Sequence, residues 1–142
     1  MEDNNSIIFY TDGAYSPKNN QGGWALYCPQ YRLRICCNET NTTNNRMEMM
    51  AVIKALEFVS DSNIPEKNIT IISDSKYVVE TMNGNYRKST NLDLWDQLSD
   101  LVYGLVGKNI SFQHIKGHTK NTSEEYKGND IVDSLAVIAS KL

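Results

Sequence analysis

Residues 46–61, RMEMMAVIKALEFVSD, and residues 68–73, NITIIS, stand on either side of a connection closed by Pro65. The first stretch consists of strong helix formers, contains no Gly or Pro, and repeats its apolar residues at helical spacing. The second is a short continuous apolar run, the pattern of a strand buried on both faces of a parallel sheet. A helix feeding a buried strand is the unit of an α/β domain.

Working outward, Ser6 to Tyr15 (SIIFYTDGAY) is rich in β-branched and aromatic residues and reads as a strand. Residues 16–23, SPKNNQGG, supply a turn. Gly23 to Cys28 and Arg32 to Cys37 alternate as two further strands around Pro29-Gln30, giving an antiparallel meander. Residues 38–45, NETNTTNN, are turn and cap chemistry. Beyond the buried strand, a helix from Ser75 to about Met82 ends at Asn83-Gly84. After NYRKST, a helix from about Leu92 to Val106 carries Leu94, Leu98, Leu101, Val102 and Leu105 on one face. Asn109 to Ile115 alternates as a strand, a polar loop runs from Lys116 to about Gly128, and a helix spans Asp130 to Ser140. The order βββ-α-β-α-α-β-α has no internal repeat and no linker. It predicts one domain over residues 1–142, with residues 1–5 a frayed lead-in.

Composition narrows the class. With 142 residues the chain can bury a sizeable core without disulfide or zinc staples. No apolar run approaches the ~18 residues of a membrane span, and the opening MEDNNS is unlike a secretory signal. Cys28, Cys36 and Cys37 show no metal-site spacing and read as reduced thiols; a bridge from Cys28 to the 36–37 pair is the alternative. A cytoplasmic or other reducing compartment is expected, not secretion. Fourteen basic against 17 acidic residues give a charge of −3, which argues against a dedicated nucleic-acid binder.

Four acids sit where patterning calls for apolar residues. Asp12 interrupts a strand-like run, and aspartate is depleted in strands. Asp74 stands where the buried strand ends. Glu48 falls on the stripe of Val52, Leu56 and Val59, and Asp133 precedes Ala136 and Val137 by one helical turn. Each has a plain structural alternative: a helix cap for Asp74, a turn with Gly13 for Asp12, a dipole-favoured acid for Glu48, a solvated position for Asp133. Taken together they say more. Adjacent central strands would set Asp12 beside Asp74, with Glu48 and Asp133 brought over them by helices. Carboxylates so close need a compensating cation, and hard oxygen donors select Mg²⁺ or Mn²⁺. Two such ions suit in-line attack of water on a phosphodiester, one activating the water and the other stabilising the leaving oxygen. His118, next to Gly117 in a loop, could reach such a site; a solvated loop histidine is the alternative. His114 reads as structural.

YTDGAY, TTNNRMEMMAVIKALE, ISDSKYV, NLDLW, IKGH and NDIVDSLA, in this order, resemble the type 1 ribonuclease H family from about Ile7 to Ala139. The resemblance implies a ribonuclease H-like α/β fold: a five-stranded mixed sheet, three antiparallel strands then two parallel, flanked by helices. It implies an endonuclease that cuts the RNA strand of RNA–DNA hybrids, leaving 3′-hydroxyl and 5′-phosphate ends, with two Mg²⁺ ions for which Mn²⁺ can substitute. Carried over by position, Asp12 would touch both ions, Asp133 would join it on the nucleophile side, and Glu48 and Asp74 would hold the leaving-group ion. His118 matches a histidine that assists product departure. Gly13 and Asn44 match positions near RNA 2′-hydroxyls, Thr43 and Asn91 a pocket for a DNA phosphate, and Asn45 and Lys76 further substrate contacts. Helix capping explains Thr43, Asn44 and Asn91 equally well.

The chain departs from the family pattern in four places. NYRKST replaces the basic, Trp-rich protrusion of many cellular members, no hybrid-binding module precedes the domain, the loop through KNTSEEYKG is long, and Asn41 stands where some members have a phosphate-pocket arginine. Lys76, Arg87, Lys88, Lys116 and Lys120 are the other candidate phosphate contacts, although Lys76 and the Arg87-Lys88 pair read equally well as solvated surface charges; weak hybrid binding by a monomer is therefore expected, which a partner protein could offset. Setting the four site acids aside leaves 14 basic against 13 acidic residues, which no longer excludes a nucleic-acid substrate. Two other readings are a non-catalytic module of the same fold, which would have lost an acid, and an integrase-like enzyme, which would lack the TNNRMEMM and KGH blocks.

Overall fold

Alternating side chains and Asn/Gly turn chemistry carry residues 6–40 into a meander: β1 (Ser6–Ser16), β2 (Gln21–Cys28) and β3 (Leu33–Thr40), each antiparallel to the last. The computed structural model describes residues 5–117 and 123–142. Asn20, at φ 48°, closes the β1–β2 turn in the left-handed region that Asn tolerates. A single 3₁₀ turn, Pro29–Tyr31, joins β2 to β3. After α1 (Asn44–Ser62) the chain returns as β4 (Asn68–Ser73), parallel to β1. It then forms α2 (Lys76–Met82) and α3 (Leu92–Gly104), and β5 (Asn109–His114) adds parallel to β4. α4 (Glu124–Ala139) ends the fold. The sheet order is β3-β2-β1-β4-β5, the mixed five-stranded α/β sheet expected from the sequence.

Alternation along β1 divides the core. Ile7 and Phe9 join Met49, Val52, Ile53 and Leu56 of α1 on one face, where Trp95 and Leu98 of α3 close the cluster from behind. Tyr10 faces the other way, with Ala25 and Ile72, onto Val132 and Ala136 of α4. The two helices that carry candidate acids therefore cover opposite faces of one strand. No helix among the described residues is long and apolar enough to cross a membrane.

Several boundaries differ from the sequence expectation, β2 for one beginning at Gln21 and not Gly23, and three of the differences bear on the packing. β3 continues through Asn38, Glu39 and Thr40, expected as turn, because Gly23, Gly22 and Gln21 of β2 pair with them. α3 stops at Gly104, so Val106 lies outside it and 89% exposed. The largest difference is α4, which begins at Glu124, not Asp130. Gly128, expected to end a loop, lies inside this helix against the ring of Tyr10, where a Cβ would come within 2.5 Å of Cε2 and Cζ. Close packing of α4 on β1 outweighs the ~1 kcal/mol that glycine costs in a helix. Asn5, at the edge of the expected lead-in, accepts backbone hydrogen bonds from Lys67 and Asn68. His118 and Lys120 lie outside the described residues.

Candidate metal centre

Parallel pairing of β1 and β4 runs through Tyr10–Ile72 and Thr11–Ser73, and one step further along both strands brings Asp12 beside Asp74. Asp12 shares the α4 face with Tyr10, and α4 presents Asp133 there. Carboxylate oxygens of Asp12, Asp74 and Asp133 lie within 4.8 Å of one another. Glu48 arrives from the early part of α1 and stands beside this trio. Its carboxylate accepts the backbone N–H of Gly13, which also donates to Asp12 Oδ1 at 2.9 Å. All four acids line one open cleft of about 340 Å³ with Gly13, Ala14, Tyr15 and Asn44. The Glu48 approach depends on Gly13: a Cβ there would overlap the Glu48 backbone nitrogen and the Met47 carbonyl carbon.

The cleft is strongly anionic. Asp12 and Glu48 are buried, and none of the four acids has a cationic partner among the salt bridges of the described residues, which are Arg46–Asp93, Lys54–Glu57 and Lys127–Glu124. Burial, then the charges of Glu48 and Asp74, raise the Asp12 carboxyl far above the ordinary carboxylate range. Burial raises Glu48 as well, the charge of Asp74 adding to it while hydrogen bonds from Asp12 and Gly13 oppose it. Converging hard oxygens with unbalanced charge are the donor set of a divalent cation such as Mg²⁺ or Mn²⁺, so the residues fit that group.

A pH dependence follows. Raised native values mean that the folded protein holds protons which the unfolded chain releases from about pH 4 upward. This contribution is complete below that point and is lost as pH rises through the native values. In a chelator, the unfolding midpoint should therefore fall between pH 5 and pH 8, and a divalent cation at pH 8 should restore it. A midpoint that rises with pH over this interval would show that the acids are not repelling one another. Asp93, held down at about 2 mainly by its hydrogen bond from Arg46, acts below this window; Tyr10, raised to about 12 chiefly by burial, acts above it.

With this geometry in place, the comparison with known proteins is direct: the model of the RNase H family matches residues 4–141. The chain belongs to the ribonuclease H family. Among similar proteins, "Ribonuclease H" of Ruthia magnifica subsp. Calyptogena magnifica is 33% identical, the alignment covering 95% of each chain. "Ribonuclease H" of Chlorobaculum parvum is 34% identical with 96% of each covered. That of Pseudomonas fluorescens is 32% identical, covering 92% of this chain and 89% of the relative.

The other expected site residues of this ribonuclease H family member divide into two groups. Asn44 lines the acidic cleft. Thr43 is the N-cap of α1 and accepts from the Arg46 N–H at 3.1 Å, so capping is its structural role here. Asn45 is exposed in the first turn of α1. Asn91 precedes α3 in a left-handed conformation and makes no side-chain cap. Its side chain instead accepts from Arg46 Nη1 at 3.2 Å and donates to the Tyr77 hydroxyl at 3.0 Å. Arg46 also grips Asp93 through both oxygens, at 3.0 and 2.8 Å, which locks the starts of α1 and α3 together. Lys76 lies not in the acidic cleft but in a neighbouring one that shares Asp74. The sequence reading passed over Tyr15, which lines the acidic cleft and donates its hydroxyl to Asn20 Oδ1 at 2.8 Å. Alternation from Gly13, the residue that meets Glu48, was the signal that could have found it.

Proposed function

We propose that this chain is an endonuclease hydrolysing the RNA strand of RNA–DNA hybrids, with two Mg²⁺ ions as cofactor, and leaving 3′-hydroxyl and 5′-phosphate ends. The observation that carries the reading is the convergence within 4.8 Å of Asp12 inside β1, Asp74 just past β4 and Asp133 of α4, with Glu48 beside them. Asp12, Glu48, Asp74 and Asp133 would hold the cations. When bound, such ions supply positive charge that activates a water nucleophile and stabilises the departing oxygen. The protein's own part is to keep four carboxylates oriented: Gly13 N–H anchors Glu48 and Asp12, while the β1–β4 register fixes Asp74.

Gly13 and Asn44, on the cleft wall, are suited to read the RNA sugar edge, where a 2′-hydroxyl distinguishes RNA from DNA. Thr43, Asn45, Lys76 and Asn91 are proposed as further substrate contacts. For Asn91, a phosphate would have to share a side chain already engaged by Arg46 and Tyr77. His118 is proposed to assist product departure.

A matched panel of RNA–DNA hybrid, double-stranded RNA and double-stranded DNA tests this directly. Cleavage of the hybrid should exceed that of double-stranded DNA by about 100-fold or more, because a site built around a hydroxyl discriminates strongly against its absence; double-stranded RNA keeps the hydroxyl and should be cut less than the hybrid because its second strand is not DNA. Chelation should abolish cleavage and Mg²⁺ restore it. Comparable cutting of double-stranded DNA would move the chain to another phosphodiesterase class, and no cutting of any duplex would leave a binding module.

A further inference from the structure

β3 forms one border of the sheet, and its outer edge is open along all eight residues. Among the described residues, no other element hydrogen-bonds to that edge. The opposite border differs: β5 has six residues, and its Phe112 carbonyl accepts from Asn83 Nδ2 at 3.2 Å. Proline, lysine and bulges keep an edge from pairing with another chain. β3 has none of them, pairing with β2 residue for residue. Arg34, its one basic residue, lies back over the Tyr27 ring, 5.1 Å from the centroid. Ile35, Cys36 and Cys37 in the middle of the strand are exposed. Ile35 and Cys37 share the α1 face with Leu33, which packs against the larger core cluster, while Cys36 alternates onto the α4 face opposite Ala25.

We propose that the chain self-associates through this edge, two copies of β3 pairing antiparallel about a twofold axis at Cys36, in place of the monomer expected from the sequence. Directly opposite residues in an antiparallel pair point to the same face. A twofold axis perpendicular to the sheet keeps each residue on its own face, so it must pass through a residue and not between two. Centring on Cys36 pairs residues 33–39: Ile35 meets the partner's Cys37, Arg34 the partner's Asn38, and Glu39 the partner's Leu33. No like charges face each other, and Leu33, Ile35 and Cys37 of both copies join in one apolar row. Centring on Cys37 would set Ile35 against a glutamate, and centring on Ile35 would pair only residues 33–37. The acids lie toward the end of β1, and β3 runs in the same direction as β1, both being antiparallel to β2. The axis therefore sends the two acidic clefts to opposite ends of one continuous sheet, where neither blocks the other. Self-association needs nothing from the catalytic reading and stands apart from it. The interface is small, so a dissociation constant on the order of 10 μM is expected.

Sedimentation of the full chain under reducing conditions should show the 16.1 kDa mass doubling as concentration rises through that range. Cys36→Lys, which sets two ammonium groups face to face across the axis, should weaken association about 10-fold or more while leaving the unfolding midpoint unchanged. Val106→Lys, at a remote position 89% exposed, should leave association as it was. The register is read by diamide, which takes two protons and two electrons from a pair of thiols and leaves a disulfide. Opposed Cys36 residues have Cβ atoms about 4.5–5.5 Å apart, close to disulfide range. The two Cys37 residues lie two steps apart along the strands, with Cα atoms about 8 Å apart, too far to bridge. Cys37→Ser should therefore still give a covalent dimer on a non-reducing gel, and Cys36→Ser should not. A monomer at every concentration overturns the proposal. So does association lost with Ile138→Lys, on the exposed flank of α4, and kept with Cys36→Lys. Cross-linking through Cys37 and not Cys36 overturns the register.

Discussion

Asp12→Asn should reduce cleavage of an RNA–DNA hybrid by about 1,000-fold or more, equivalent to ~4 kcal/mol of transition-state stabilisation, while making the metal-free protein more stable. The two effects share a cause. Asp12 is buried between Glu48 and Asp74, and its charge is unfavourable there unless a cation offsets it. Asparagine has the same shape and can still accept the Gly13 N–H, so the backbone has no reason to move. It loses the negative charge that would hold a divalent ion and no longer repels its neighbours. Relief of about 2 kcal/mol would raise the unfolding midpoint in a chelator by ~5–10 °C. Wild-type stability would lead once more when Mg²⁺ is added, since a ligand stabilises only the form that binds it. Turnover near that of the wild type would remove Asp12 from the metal site. A lower midpoint in chelator would mean that Asp12 serves the fold.

Gly13→Ala is expected to be the most damaging single methyl group in the described chain. The added carbon would overlap backbone atoms of Met47 and Glu48, not the end of a flexible side chain, so relief requires α1 to move off β1. That helix supplies Met47, Met49, Val52, Ile53 and Leu56 to the larger core cluster, and shifting it disturbs all of them. A loss of about 3 kcal/mol or more is expected, at the upper end of overpacking costs. Thermal unfolding should begin ~10 °C lower or more. Any protein that still folds should cleave poorly, because Glu48 would be displaced from the trio. Gly104→Ala is the control: its Cβ would meet nothing within 4 Å, so stability should change little. A Gly13→Ala protein with an ordinary midpoint and full activity would contradict the observed packing of α1 on β1.

Local chemistry made most of the element order legible. The helix of residues 46–61, the buried strand of residues 68–73 and the meander before them lie where periodicity and turn residues place them. The start of α4 was not legible, because Gly128 reads locally as a helix breaker. Its reason for being glycine is the ring of Tyr10 in β1, far away in sequence. Asn91 illustrates the same limit: an Asn before a helix reads as a cap, yet its side chain is spent on Arg46 and Tyr77. Thr43, whose partner is three residues away, behaves as local reasoning expects.

The acids follow this division. By itself the sequence determined that Asp12, Glu48, Asp74 and Asp133 interrupt apolar patterns, because burial periodicity is a property of each segment alone. Only the tertiary structure decided that Asp12, Asp74 and Asp133 converge within 4.8 Å, with Glu48 held to one side by the Gly13 N–H. That arrangement depends on the register of β1 against β4 and on how closely α1 and α4 approach the sheet. Both are set by packing between residues remote in the chain. The separation of Lys76 from the acidic cleft was likewise decided there, because the wall between the two clefts is the end of β4 itself.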